Sequence, residues 1–156
     1  MESNKSTLLK CIVIPLVVGG AAALLSAGGM STFAELNKPP LSPPGWLFPI
    51  VWTVLYILMG IASYLVYTSL ARQQDISAAL IVYGLQLVVN FLWPIFFFDF
   101  GWYLFSFFWL LLLWALILKT IQLFARVSET AAKLMIPYLV WVAFAGYLNL
   151  GIWWLN

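Results

Sequence analysis

An all-α integral membrane protein, a bundle of five membrane-spanning helices, is the fold class this sequence predicts, and three observations predict it. Of 156 residues, 65% are hydrophobic and only 8% are charged, against about 25% charged in an average soluble domain. The charge-free intervals are long: Cys11–Met30, Pro39–Ala71, Ile76–Phe98, Phe100–Leu118 and Leu134–Asn156. Each holds about the 20 apolar residues that a helix needs to cross a bilayer. The runs are also apolar on all sides, whereas a membrane barrel needs short strands of alternating polarity. The chain reads as one domain over residues 1–156, with helices near 10–30, 45–70, 76–98, 101–125 and 131–155 and a first loop over 31–44.

The first helix needs separating from a signal peptide. Lys5 and Lys10 precede the apolar stretch, and "LLSAGG" at 24–29 resembles a small-residue cleavage site. The run is long enough to span, however. Gly19, Ala23 and Ala27 recur at four-residue spacing, which lets another helix approach closely. The segment is therefore read as the first span, with these three residues as a candidate homodimer face. The loop that follows, "LNKPPLSPPGW", packs Pro39, Pro40, Pro43 and Pro44 into six positions. Prolines preset backbone angles and remove amide donors, so the segment is stiff and irregular.

Three later helices each carry an aromatic and polar stripe at helical spacing. The second has Trp52, Tyr56, Met59, Ser63 and Tyr67. The third has Tyr83, Gln86, Asn90, Trp93 and Phe97, and the fifth has Tyr138, Trp141, Ala145, Leu148 and Asn149. Between the third and fourth spans only Asp99 interrupts the apolar run, but Pro94, Asp99 and Gly101 give the chain a place to turn. The fourth helix has Trp109 and Trp114 without a polar stripe, and Trp102, Trp153 and Trp154 lie near helix ends as interface anchors.

Gln86 and Asn90 pose the sharpest question. An amide buried in hydrocarbon without a partner costs several kcal/mol. Two accounts stand open: each amide bonds across to a neighbouring helix as glue, or the pair anchors a ligand in a pocket. Stripes on three helices converging below one loop suit a cavity for a large, flat, mostly apolar ligand.

Charge limits the remaining choices. The N-terminus and the second and fourth loops carry Lys5, Lys10, Arg72, Lys119, Arg126 and Lys133, while the other side carries Lys38 alone. The positive-inside rule then places the N-terminus in the cytoplasm and the proline loop and C-terminus outside. Cys11 is the only cysteine and there is no histidine, so neither an intrachain disulfide nor a protein-ligated metal is expected. A net charge of +2 without a basic stripe gives no reason to expect nucleic acid. No Asp, Glu, Lys or Arg lies deep in a span, whereas an ion-coupled transporter usually keeps such a residue there. Residue sets for hydrolytic or acid–base chemistry are lacking too.

The segments "LNKPPLSPPGWLFPIVWTVLY", "QLVVNFLWPIFFF" and "PYLVWVAFAGYLN" resemble the TspO/MBR family, the tryptophan-rich sensory proteins of bacteria and the mitochondrial translocator protein or peripheral benzodiazepine receptor. The resemblance covers nearly the whole chain, in order. It implies a five-helix bundle, often dimeric, whose first loop is a lid over a cavity. It further implies binding of porphyrins such as protoporphyrin IX, of haem-type tetrapyrroles and of benzodiazepine-type ligands, with no obligatory cofactor. In a bacterial-type member the expected place is the cell membrane. Residue by residue, Trp52 matches the pocket Trp of the second helix, and Asn90 and Trp93 match the Asn-x-x-Trp of the third. Trp141 matches the Trp of the fifth helix, and Ala145 a small residue whose enlargement is associated with altered ligand binding.

The candidate ligand-binding set is therefore Pro43, Phe48, Trp52, Tyr56, Gln86, Asn90, Trp93, Trp141, Ala145 and Leu148. The leading expectation is a receptor or sensor for tetrapyrroles. One alternative is light- and oxygen-dependent porphyrin breakdown, with Trp52 and Trp141 as the photochemical residues. Another is transport of porphyrins or similar amphiphiles. Two departures from the family pattern bear on this. Thr32, Phe33 and Leu41 stand where aromatic cover is usual, which thins the lid. After Tyr147 the chain reads "LNLGIWWLN", with no basic residue for the sterol motif, so specific cholesterol recognition is not expected.

Overall fold

The computed structural model describes residues 2–156, and among them there are helices and turns but no strand. Helix α1 runs Glu2–Ser26, and a tight turn Ala27–Gly29 leads to the short α2, Met30–Ala34. Then follow α3 (Leu47–Tyr67), α4 (Gln73–Pro94), α5 (Tyr103–Val127) and α6 (Glu129–Leu155). The five long helices are all long and apolar enough to cross a membrane. They close in the order α1, α3, α6, α5, α4 and back to α1, with α3 and α4 also touching.

Several boundaries differ from the sequence expectation. Helix α1 begins at Glu2 rather than near residue 10, because a run of apolar residues marks a span and not the end of a helix. The lid segment is not irregular throughout: α2 occupies its start, and Glu35 and Leu36 still donate to Thr32 and Phe33 carbonyls at 3.1 Å. Helices α3, α5 and α6 start and end within three residues of the expected positions, while α4 starts three residues early and ends four residues early. Between α4 and α5 the chain widens into a π-type turn, Ile95–Asp99, where the Phe100 amide donates to the Ile95 carbonyl at 3.1 Å. Pro94 has no amide to continue the α ladder, and Gly101, at φ +67°, completes the reversal in a region that favours glycine.

Small residues set how closely α1 packs. A Cβ at Gly60 of α3 would run into the backbone of Cys11 and Ile12, and one at Gly19 would run into the Tyr56 ring. The spacing of Gly19, Ala23 and Ala27 therefore does not act as one face. Gly19 is turned to α3 of its own chain, while Ala23 and Ala27 are exposed. Deep in the bundle, Met59, Ala62 and Val66 of α3 meet Ile117 and Phe124 of α5 and Met135 of α6 in one apolar cluster, none of them accessible. The outward side chains are also apolar, among them Val17, Leu24, Val54, Ile81, Phe108 and Val140. A surface of this kind matches lipid and not water.

At the opposite end from the lid, connections are short. Ser128 alone joins α5 to α6 and caps α6, its Oγ accepting from the Ala131 amide at 3.2 Å. Arg72 and Asp75 pair at 3.3 Å in the first turn of α4. That pair is exposed and adds little to stability.

Candidate ligand-binding site

Helices α3, α4 and α6 bring their polar stripes together, because an amide or phenol in an apolar bundle is stable only against another polar group. Tyr56 of α3 donates its hydroxyl to Asn90 Oδ1 at 2.9 Å. Asn90 Nδ2 donates to the Tyr138 hydroxyl of α6 at 2.6 Å, and Tyr138 donates in turn to Gln86 Oε1 at 2.7 Å. Gln86 Nε2 faces Met59 Sδ at 3.9 Å. All five residues are buried. The two amides are thus interhelical ties, as the first of the two sequence accounts holds.

Aromatic rings sheathe this centre. Trp52 stacks on Tyr56 with ring centroids 5.5 Å apart and meets the Tyr138 ring edge-on at 6.1 Å. Toward the lid, Phe48 meets Trp141 edge-to-face at 5.8 Å, and Trp141 lies 5.6 Å from Phe144. The Trp141 indole Nε1 is buried and has no hydrogen-bond partner. Trp93 belongs to a neighbouring group: its Nε1 donates to Asn149 Oδ1 at 3.0 Å, and Asn149 Nδ2 donates to the Tyr103 carbonyl at 2.8 Å. Ala145 and Leu148 are buried on α6, and Pro43 is half-buried in the lid.

The lid is fixed to α6. The Asn37 amide donates to Asn156 Oδ1 at 3.1 Å, and Asn156 Nδ2 returns a bond to the Asn37 carbonyl at 2.8 Å. The Tyr147 hydroxyl donates to the Pro40 carbonyl at 2.6 Å. Pro39 is buried against Gly151, where an added Cβ would sit 2.6 Å from the proline ring. Beyond this anchorage Leu41 adopts φ 69° and is 83% exposed. Phe33 is not spare cover either: it packs on Phe97 and Phe98, with Lys38 Nζ 4.9 Å from its ring centre.

The structure therefore joins Trp52, Tyr56 and Asn90 directly and Gln86 to them through Tyr138, places Phe48 with Trp141, and puts Trp93 in an adjoining network. Two open depressions, of about 510 and 390 Å³, lie away from this set, beside Trp102 and Trp153 and beside Gly29 and Asp99. Tyr138 and Asn149 complete the two networks and were absent from the candidate set, although both lie on the stripe of α6. Asn156 and Gly151 gave no signal, since their partners are more than a hundred positions away in the chain. The stripe on α3 ends at Ser63, because Tyr67 points outward.

The model of the TspO/MBR family matches residues 11–155. The chain belongs to the TspO/MBR family. Among relatives of this TspO/MBR chain, the tryptophan-rich protein TspO of Chlorobaculum tepidum is 39% identical over the whole of this chain and 99% of that protein. Protein CrtK of Rhodobacter capsulatus is 36% identical over 88% of this chain and 85% of its own length. The translocator protein of Bos taurus is 36% identical over 90% of this chain and 85% of its own length. Family membership and five apolar helices make this a multi-pass membrane protein.

Proposed function

We propose that this TspO/MBR chain is a membrane receptor that binds porphyrins, including protoporphyrin IX, and benzodiazepine-type ligands between α3, α4 and α6. Its occupancy would regulate tetrapyrrole or stress responses. The observation that carries the reading is a polar centre, Gln86 and Asn90, enclosed by aromatic rings beneath a lid anchored to α6. A flat apolar ring system gains most by stacking against indole and phenol faces, and a few polar groups then orient it. The buried Trp141 N–H, without a partner, is a donor that such a ligand would satisfy. Entry requires Phe48 and Trp141 to move off each other and Trp52 to move off Tyr56 and Tyr138, since these rings pack together in the closed arrangement. The outer face of α1 is offered to lipid or to a second copy of the chain, through Ala23 and Ala27 without Gly19.

The test is a titration of detergent-purified protein with protoporphyrin IX, read by tryptophan fluorescence in dim light. Wild type is compared with Trp141→Phe and Asn90→Leu. The expected result is saturable, one-to-one quenching that both substitutions weaken. Equal, non-saturating quenching in all three would mean that porphyrin only partitions into micelles, and the tetrapyrrole reading would be abandoned.

A further inference from the structure

We propose that the outward strip of α5 formed by Lys119, Gln122 and Arg126 seats one anionic phospholipid, in the leaflet at the end of the bundle opposite the lid. The inference is independent of the porphyrin reading.

Spacing puts the three residues on one face. Steps of three and four return to the same side of a helix, and all three side chains are exposed. Toward the lid the strip continues as Ala115, Leu112, Leu111 and Phe108, also exposed and all apolar. From lid end to basic end, one face of α5 thus passes from hydrocarbon to amide and cation. A phospholipid lying along it presents the matching order, acyl chains first and phosphate last.

Depth sets Lys119 apart from the other basic residues. It precedes the end of α5 at Val127 by eight residues, about 12 Å of helix rise. The 25 residues of α5 span roughly 37 Å, against a hydrocarbon core of about 30 Å. Even with all the excess length placed at the basic end, the Lys119 backbone lies within the hydrocarbon. Its ammonium must snorkel out or meet an anion. The Cα–Cβ bonds of a helix tilt toward its N-terminus, here the lid end. Lys119 therefore snorkels against the tilt, while Arg126 leans back toward Gln122. A phosphate level with Gln122 is about 5 Å of rise from the one backbone position and about 6 Å from the other, within the length of either side chain.

The protein offers these cations no anion. Among the described residues, Arg72 and Asp75 form the only ion pair, and Lys119, Gln122 and Arg126 take part in no hydrogen bond. Helix α5 has no acidic residue, and the nearest along the chain, Glu129, opens α6 beyond Ser128. Two unpaired cations beside a free amide complement a headgroup of net negative charge. A zwitterionic headgroup already carries a cation of its own. Lys5 and Lys10 do not form such a strip, since five positions on a helix turn side chains about 140° apart.

The test titrates full-length protein in detergent with phosphatidylglycerol, or with phosphatidylcholine of the same acyl chains, and counts retained lipids by native mass spectrometry. Wild type should retain one phosphatidylglycerol in preference to phosphatidylcholine. Lys119→Gln and Arg126→Gln should each cut that preference about fivefold, the share of one basic residue near an anionic lipid. Lys119→Arg should keep it. A double Lys5→Gln, Lys10→Gln protein loses two charges from the same end of the bundle and should bind as wild type does. Phosphatidylglycerol should also raise the unfolding temperature of wild type where phosphatidylcholine does not, a comparison that needs no variant.

Equal retention of the two lipids by wild type would overturn the inference. So would an equal loss in the Lys5, Lys10 protein, which would mean diffuse attraction between charges, or an unchanged preference in Lys119→Gln. Glycerol phosphate displacing the lipid at equal concentration would assign the strip to a soluble anion and overturn the lipid assignment.

Discussion

Asn90 is tied to α3 through Tyr56 and to α6 through Tyr138, so one side chain of α4 holds three helices at one level. Removing a partner from such a group leaves a buried polar atom unsatisfied, at a cost of about 1–3 kcal/mol. Trp93 and Asn149 repeat the pattern toward α5, with the Tyr103 carbonyl as terminus. Ala145 lies on α6 one turn beyond Trp141 and is 9% exposed. Enlarging it to Thr adds atoms to a packed position, and overpacking costs roughly 1–3 kcal/mol. The expected outcome for Ala145→Thr is a larger loss in protoporphyrin IX affinity than in thermal stability. Paired titration and unfolding curves check this; unchanged affinity would remove Ala145 from the site.

At the scale of elements, two glycines perform different tasks. Gly60 lets the backbone of α1 lie directly against α3, and an added methyl group would meet main-chain atoms of Cys11 and Ile12. Main chain inside a helix cannot step aside alone, so the whole of α1 must move. Gly151 instead faces the Pro39 ring, which belongs to a loop and can shift with it. Gly60→Ala should lower thermal stability clearly. Gly151→Ala should leave stability nearly unchanged but loosen the lid, raising both association and dissociation rates for porphyrin. Stopped-flow quenching beside thermal unfolding separates the two. A stable Gly60→Ala protein, or unaltered rates in Gly151→Ala, would contradict the respective role.

For the whole molecule, helix order places Lys5, Lys10, Arg72, Arg126 and Lys133 at the end opposite the lid, where all five are exposed. Lys119 lies two turns inside α5 and is exposed too, and a lysine of that length reaches toward the interface by snorkelling. Lys38 alone marks the lid end. The expected orientation keeps the basic end in the cytoplasm. Alkaline phosphatase fused after Asn156 should be active, and the same enzyme inserted at residues 68–72 inactive. The opposite pattern would invert the assignment and put the lid on the cytoplasmic side.

The number of spans was legible because hydrocarbon imposes a length and a polarity that composition must meet, residue by residue. The stripes of α4 and α6 were legible for a related reason, since helical spacing fixes which residues share a face before any neighbour is known. Trp52 and Tyr56 could therefore be placed on one face of their helix, and Gln86 and Asn90 on one face of theirs, from the chain alone. Spacing does not reveal which face meets which. That Gly19 packs on Tyr56, that Tyr138 links Asn90 to Gln86, and that Asn156 secures Asn37 were all decided by tertiary structure. Each joins residues far apart in sequence, whose meeting depends on the order in which five similar helices close into a ring.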